Sequence, residues 1–174
     1  LKDVESRLVA ELMKNSRRSD RELARALRVS QPTVSRMIKR LEAEGVIKEY
    51  TMIPNFIELG YKIMALTLCS LKEVSHEEYK ETIAAAEKNL RGELSQKIIM
   101  FERGLGLEST GVIVSLHENY SSYVEFIDKL KEHPFLDVSR FRSFLTSLED
   151  KVHIRPLTFS LLANHVLQMK EKKE

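Results

Sequence analysis

Hydrophobic positions recur every three or four residues through the first 45 positions and in alternation over much of the remaining length. The chain thus passes from helical to mixed structure part-way along. Val4, Leu8 and Leu12 predict a first helix over residues 3–14, and the basic run Asn15 to Arg18 connects it to the next. Ser19 and Glu22 stand at the spacing of a capping box, in which each side chain satisfies a backbone N–H that the first helical turn leaves orphaned. A helix starts there, with Leu23, Ala24 and Leu27 on one face. Arg28 and Val29 alone separate it from a third helix, with Ser30 as N-cap and Pro32 in a first turn that needs no amide donor. Val34, Ile38 and Leu41 form its apolar stripe, and Gly45 ends it. VIKEYTMI, residues 46–53, is rich in β-branched and aromatic residues and predicts a strand that Pro54 breaks.

Beyond Gly60 the period changes. Tyr61 to Leu71 is almost continuously apolar, with Ile63, Ala65 and Cys69 on one side and Met64, Leu66 and Leu68 on the other, as in a strand covered on both faces. Ser75 and Glu78 repeat the capping spacing, and Tyr79, Ile83, Ala86 and Leu90 predict a helix ending at Gly92. Strands are predicted over 94–101 and 110–117, the second with Val112, Val114 and Leu116 inward, joined by a loop holding Gly104 and Gly106. A helix over 119–132, with Tyr123, Ile127 and Leu130 on one face, and a last strand over 136–148 complete the series. The alternation of that strand slips near Arg140, as a bulge would make it. The order strand, helix, strand, strand, helix, strand is that of a ferredoxin-like βαββαβ domain. The fold class is therefore α+β: a winged helix-turn-helix over residues 1–52, a linker over 53–60, a ferredoxin-like domain over 61–150 and an extension over 151–174. In the extension, VHIRPLTF reads as an extra strand and the residues after it as a short helix with a charged tail. Helices cover one face of such a sheet, so its second apolar face calls for another copy of the chain, a homodimer at least.

Net charge is only +2 in 174 residues, but it is unevenly placed. Residues 1–48 carry 12 of the 28 lysines and arginines against 7 of the 26 acids, and the remainder carries 16 against 19. The basic excess lies where the helix-turn-helix lies, which points to duplex DNA as a partner. On the outward side of the third helix Gln31, Thr33, Ser35 and Arg36 are placed to read base edges, and Lys39, Arg40 and Arg21 to contact phosphates. No acid precedes Glu42 on that helix. No apolar run reaches the length of a membrane span and no signal segment opens the chain, so a cytoplasmic location is expected. The single cysteine, Cys69, reads as a core residue. His76, His117, His133, His153 and His165 show no metal-ligand spacing, and no phosphate loop or nucleophile motif appears. No cofactor, no metal and no enzyme activity are called for.

The helix-turn-helix ending in KRLEAEGVIKEYT, the LGY linker and the βαββαβ unit together resemble the leucine-responsive/asparagine regulator (Lrp/AsnC) family of transcription factors. The resemblance implies a winged-helix DNA reader joined to a ligand-sensing domain, dimers or octamers, and an amino acid or related small effector bound where sensor domains meet. The family's Gly-x-x-Asp element would fall on the loop ERGLGLESTG, with Gly106 at the glycine and Ser109 in place of the acid, one position from Glu108. Gly104, Gly106, Glu108 and Ser109 are thus the effector-site candidates. Two other readings compete. The sirohaem decarboxylases resemble the same architecture, and His117, Arg140 and Arg142 would have to converge for such chemistry. A partner that binds no DNA and modulates a paralogue in mixed oligomers is the third.

Overall fold

The computed structural model describes residues 2–72, 96–133, 136–152 and 156–171. The elements in chain order are α1 (Asp3–Lys14), α2 (Asp20–Leu27), α3 (Gln31–Ala43), β1 (Ile63–Leu71), β2 (Ile98–Gly106), β3 (Ser109–His117), α4 (Tyr120–Lys131), β4 (Leu136–Ser147) and α5 (Ser160–Glu171). They fall into two compact units, residues 1–54 together with 153–174, and residues 55–152. The helix expected over 75–91 lies outside the described residues.

In the first unit the caps form as the sequence requires. The Ser19 hydroxyl accepts from the Glu22 N–H at 3.3 Å, and the Glu22 carboxylate accepts from the Ser19 N–H at 2.8 Å. Ser30 caps α3 by accepting from the Thr33 N–H, also at 3.3 Å. Between the two helices Arg28 takes a left-handed φ of 58°, which turns the chain within two residues. Gly45, at φ 70°, closes α3, and the Val46 N–H returns to the Leu41 carbonyl at 2.9 Å. Leu8, Leu23, Leu27, Val34, Met37 and Leu41 make the core.

Helix α1 buries a second side as well. Ser6 and Ala10 lie about 200° around the helix from Leu8, yet both are buried. Helix α5 packs along α1, and its Ala163 is fully buried too, so small residues let the two helices approach closely. The expected strand over 46–53 does not form: the segment carries no ladder. A strand needs a partner, and every regular element described in this unit is a helix. The segment is held instead by Ile47 against the core and by the Ser16 hydroxyl, which donates to the Thr51 carbonyl at 3.4 Å. Residues 156–159, the end of the expected extra strand, are likewise outside any strand.

The second unit is an antiparallel sheet of order β2-β3-β1-β4, the ferredoxin-like order. Helix α4, capped by Asn119, lays Phe126, Ile127 and Leu130 on one face, where Cys69, Ile113 and Leu136 meet them. The residues of β3 on the helix-covered side are therefore Gly111, Ile113, Ser115 and His117, not the expected Val112, Val114 and Leu116, of which only Leu116 is buried. Both parities of β3 are apolar near its middle, so alternation alone did not choose the face. Gly111 belongs to the packed side, where an added Cβ would sit 3.1 Å from the Cys69 sulfur and 3.3 Å from the Phe101 ring. The bulge is present: Leu68 faces Arg142 whereas Ser70 faces Asp137, which loops out residues around Arg140. On the opposite face Met100, Val114, Leu66 and Phe144 stand side by side across all four strands. Leu66 is 41% exposed and Phe144 71%.

Strand β2 also runs further than the sequence suggested. Gly104 and Gly106 are strand residues, and the turn into β3 is Leu107–Glu108, with φ of 52° and 57°. Two successive left-handed residues are the signature of a type I′ turn, normally filled by Asn and Gly because a side chain crowds the backbone there. Leu107→Asn is expected to stabilise the unit by about 1 kcal/mol, read as a higher urea midpoint with an unchanged slope; a lower midpoint would show that Leu107 has an unrecognised packing role.

Candidate nucleic-acid interface

The outward side of α3 begins at its N-terminus, where Gln31 is exposed and Thr33 and Ser35 are half-buried. Thr33 shares its hydroxyl with Ser30 at 2.7 Å, so the cap also orders the Thr33 side chain. One turn on, Arg36 is exposed and its Nε donates to the Pro32 carbonyl at 3.3 Å. That bond fixes the guanidinium while leaving its terminal nitrogens for a base edge. Lys39 and Arg21 are exposed, and so is Arg28, a turn residue whose position the sequence treated only as a spacer.

Arg40 is placed differently from its neighbours. It forms an ion pair with Glu5 of α1 and a longer one, 3.5 Å, with Glu44. Glu5 is only 3% exposed, and its other oxygen accepts from the Lys2 N–H at 2.8 Å. One carboxylate thus caps α1 and ties it to α3. Two further acids are engaged by neighbouring side chains: Glu42 accepts from the Tyr50 hydroxyl at 3.0 Å, and Glu11 holds Lys14 and Arg18. Burial and the Glu42 carboxylate together push the Tyr50 hydroxyl up to about 12, so this tie persists across the neutral range. The first three turns of α3 therefore present polar and cationic groups with no acid among them.

In the second unit the effector candidates sit on the β2–β3 hairpin. Gly106 pairs with Ser109, which is buried and donates to the Leu107 carbonyl at 3.3 Å. The Glu108 carboxylate accepts from Arg142 at 3.1 Å, in a pair exposed on both sides. Ser70 donates to the Glu108 carbonyl, so the hairpin end is tied to β1.

Residues 1–48 match the family model described as winged helix-turn-helix DNA-binding. The chain is 32% identical over 83 residues to the transcriptional regulator LrpC of Bacillus subtilis, covering 48% of this chain and 58% of that one. It is 26% identical over 152 residues to the leucine-responsive regulatory protein of Rhizobium meliloti, which takes in 87% of this chain and 93% of that protein. A transcriptional regulator of Neisseria meningitidis solved as an L-Met complex superposes over 96% of this chain and 99% of its own with a TM-score of 0.74, at 18% identity. The chain is thus similar to regulators of the Lrp/AsnC family, in its helix-turn-helix by sequence and over nearly its whole length by fold. It spans about half the length of several of the curated relatives it matches.

Two of the side chains named for the catalytic reading, His117 and Arg142, do not come together. His117 is buried on the helix-covered face against Tyr123 and Phe126, whereas Arg142 stands beside Leu68 on the opposite face. Among the described residues no group of three or more His, Cys, Asp or Glu side chains is placed to hold a metal ion. No helix described is long and apolar enough to cross a membrane.

His117 carries a different consequence. Its Nε2 lies 2.9 Å from the Ser115 hydroxyl, and its Nδ1 has no hydrogen-bond partner. Burial, reinforced by the Lys97 charge and opposed by Glu118, lowers its pKa from 6.5 to about 4. The folded state therefore holds a neutral ring where the unfolded chain takes up a proton. The stability this contributes is intact above pH 6.5 and is lost as the pH falls from 6.5 towards 4, by roughly 1.4 kcal/mol per pH unit. Burial shifts His133 in the same direction. The urea midpoint is expected to fall between pH 7 and pH 5, and His117→Asn is expected to flatten that slope. An equally steep slope in the variant would rule the ring out as its source.

Proposed function

We propose that this protein is a sequence-specific transcription regulator that binds duplex DNA as a dimer or larger homo-oligomer in the cytoplasm. The acid-free first three turns of α3, held at their end by the Glu5–Arg40 tie, are the observation that carries the reading. Gln31, Thr33, Ser35 and Arg36 face the major-groove edges of the bases, with the Arg36 terminal nitrogens suited to a guanine. Lys39, Arg21 and Arg28 contact phosphates and set the register, and Arg40 adds to them only with the nitrogens its two carboxylates leave. Two such helices, one from each protomer, occupy successive major grooves about 10 base pairs apart or a multiple of that.

The open apolar face of the second unit supports pairing with a second copy, since a patch reaching across four strands is not left in water by a monomer. A small effector acts by binding one oligomeric arrangement better than another. The complex of the Neisseria regulator with L-Met supports an amino acid as the class to try first. Here it would meet the hairpin of Gly104, Gly106, Glu108 and Ser109.

Sites selected from random duplex by the purified protein, with and without amino acids, provide the test. On a selected site Arg36→Ala is expected to cost about 1–3 kcal/mol while barely changing affinity for random duplex. Lys39→Ala is expected to weaken both and to lower the salt slope by about 1. Failure to enrich any sequence would reject the reading, and equal losses on both DNAs from Arg36→Ala would remove that residue as a base reader.

A further inference from the structure

The first unit contains a cavity of about 690 Å³ that the DNA-reading side of α3 does not use. The second half of α1, the segment 46–53 and the start of α5 line it as an open cleft, with Val9, Leu12, Met13, Ile47, Met52 and Phe159 among its walls. Its size lies within the range of small-molecule sites, and its walls are mostly apolar. The charged groups around it are unequal: Lys14, Arg17 and Lys48 against Glu49. Lys14 is paired with Glu11, but Arg17 and Lys48 make no ion pair among the described residues, and both are exposed. An open, mostly apolar cleft with two cations in its lining that make no ion pair among the described residues fits a molecule with a hydrocarbon body and one negative head.

We infer that this cavity is a second ligand site, in the DNA-binding unit, for a small amphipathic carboxylate such as a medium-chain fatty acid. The hydrocarbon lies among Leu12, Met13, Met52 and Phe159, and the carboxylate meets Arg17 and Lys48. Thr158 and Ser160 line the cavity at the first turn of α5. Their hydroxyls lie 2.9 Å apart, and the Thr158 hydroxyl accepts from the Ser160 N–H at 3.2 Å. The ligand therefore touches α1 and α5 at once and favours the docked arrangement of the two helices. The inference is independent of which DNA sequence α3 reads and of any effector bound by the sheet unit.

The chain's own methionines report on it. Met13 and Met52 line the cavity, whereas Met64 and Met100 belong to the sheet unit. With methionine methyls labelled in the full chain, decanoate is expected to shift the Met13 and Met52 signals saturably below 1 mM, leaving Met64 and Met100 in place. Decanol is expected to bind at least about tenfold more weakly, and Arg17→Gln with Lys48→Gln to abolish that preference while the spectrum stays folded. Four results would each overturn the inference. They are no saturable shift, equal binding of decanol, shifts confined to Met64 and Met100, and Met13 and Met52 signals that move with protein concentration alone, which would assign the cavity to a second copy.

Discussion

Replacing Leu66 and Phe144 together by glutamate is expected to leave the protein monomeric at micromolar concentration, with its fold intact. The two side chains occupy one row across β1 and β4. They lie on the face away from α4, so neither contributes to the core that Ile113, Phe126 and Leu130 form. Their exposure in the single chain means that charge there costs the monomer little. In a dimer that buries the face, four carboxylates would be brought out of water with no partner, at several kcal/mol each. Pairing on this scale needs about 800 Å² from each protomer, which a four-stranded face can supply. The effect on DNA follows by linkage. Once a dimer has placed one recognition helix, the second binds at an effective concentration near millimolar, and losing it lowers site affinity by about 10²–10⁴. Light scattering gives the mass and a band-shift titration the affinity. A variant that stays dimeric, or a monomer that binds its site as tightly as the parent, would contradict the sheet-face arrangement.

The second large effect is expected in the first unit, where Glu5→Ala should lower stability by about 3 kcal/mol. Glu5 does two jobs with one carboxylate: it accepts the Lys2 N–H at the start of α1 and binds Arg40 on α3. Alanine removes both and leaves Arg40 with the weaker Glu44 contact. Glu5→Gln retains a group able to cap and loses the charge pair, so it should fall between the parent and alanine. Arg40→Ala leaves the nearly buried carboxylate without its cation and should cost about 2–3 kcal/mol, less than a fully enclosed pair because Arg40 is 43% exposed. For a unit of this size such losses correspond to a drop in melting temperature of about 10–20 °C. Melting temperatures within a degree or two of the parent for all three variants would show that the tie is ornamental.

The parts of this protein written in local sequence were legible. Ser19 with Glu22, Ser30 with Pro32, and Gly45 each act through neighbours within a few residues, and each does in the structure what its spacing implies. Strand order followed from the sequence of periods, and the slip near Arg140 marked a real change of register. The features that could not be read depend on partners far away in the chain. Nothing local joins position 5 to position 40, so the tie between Glu5 and Arg40 leaves no pattern in the sequence. Ser6 and Ala10 carried no apolar signal, although they form a second packing side against α5. Residues 46–53 have strand composition, but composition does not supply a ladder partner. The polar side of α3 was visible as a pattern, whereas the engagement of Arg40 by Glu5 was not.

The division of the first unit between residues 1–54 and 153–174 also sets an order of events during synthesis. The helix-turn-helix emerges from the ribosome early, but α5 arrives only after roughly 100 further residues, about 5–20 s later at ordinary elongation rates. Through that interval the side of α1 bearing Ser6 and Ala10 stands uncovered, so a nascent chain carries its helix-turn-helix before it carries the brace. The helix-turn-helix unit is thus begun before the sheet unit and completed after it.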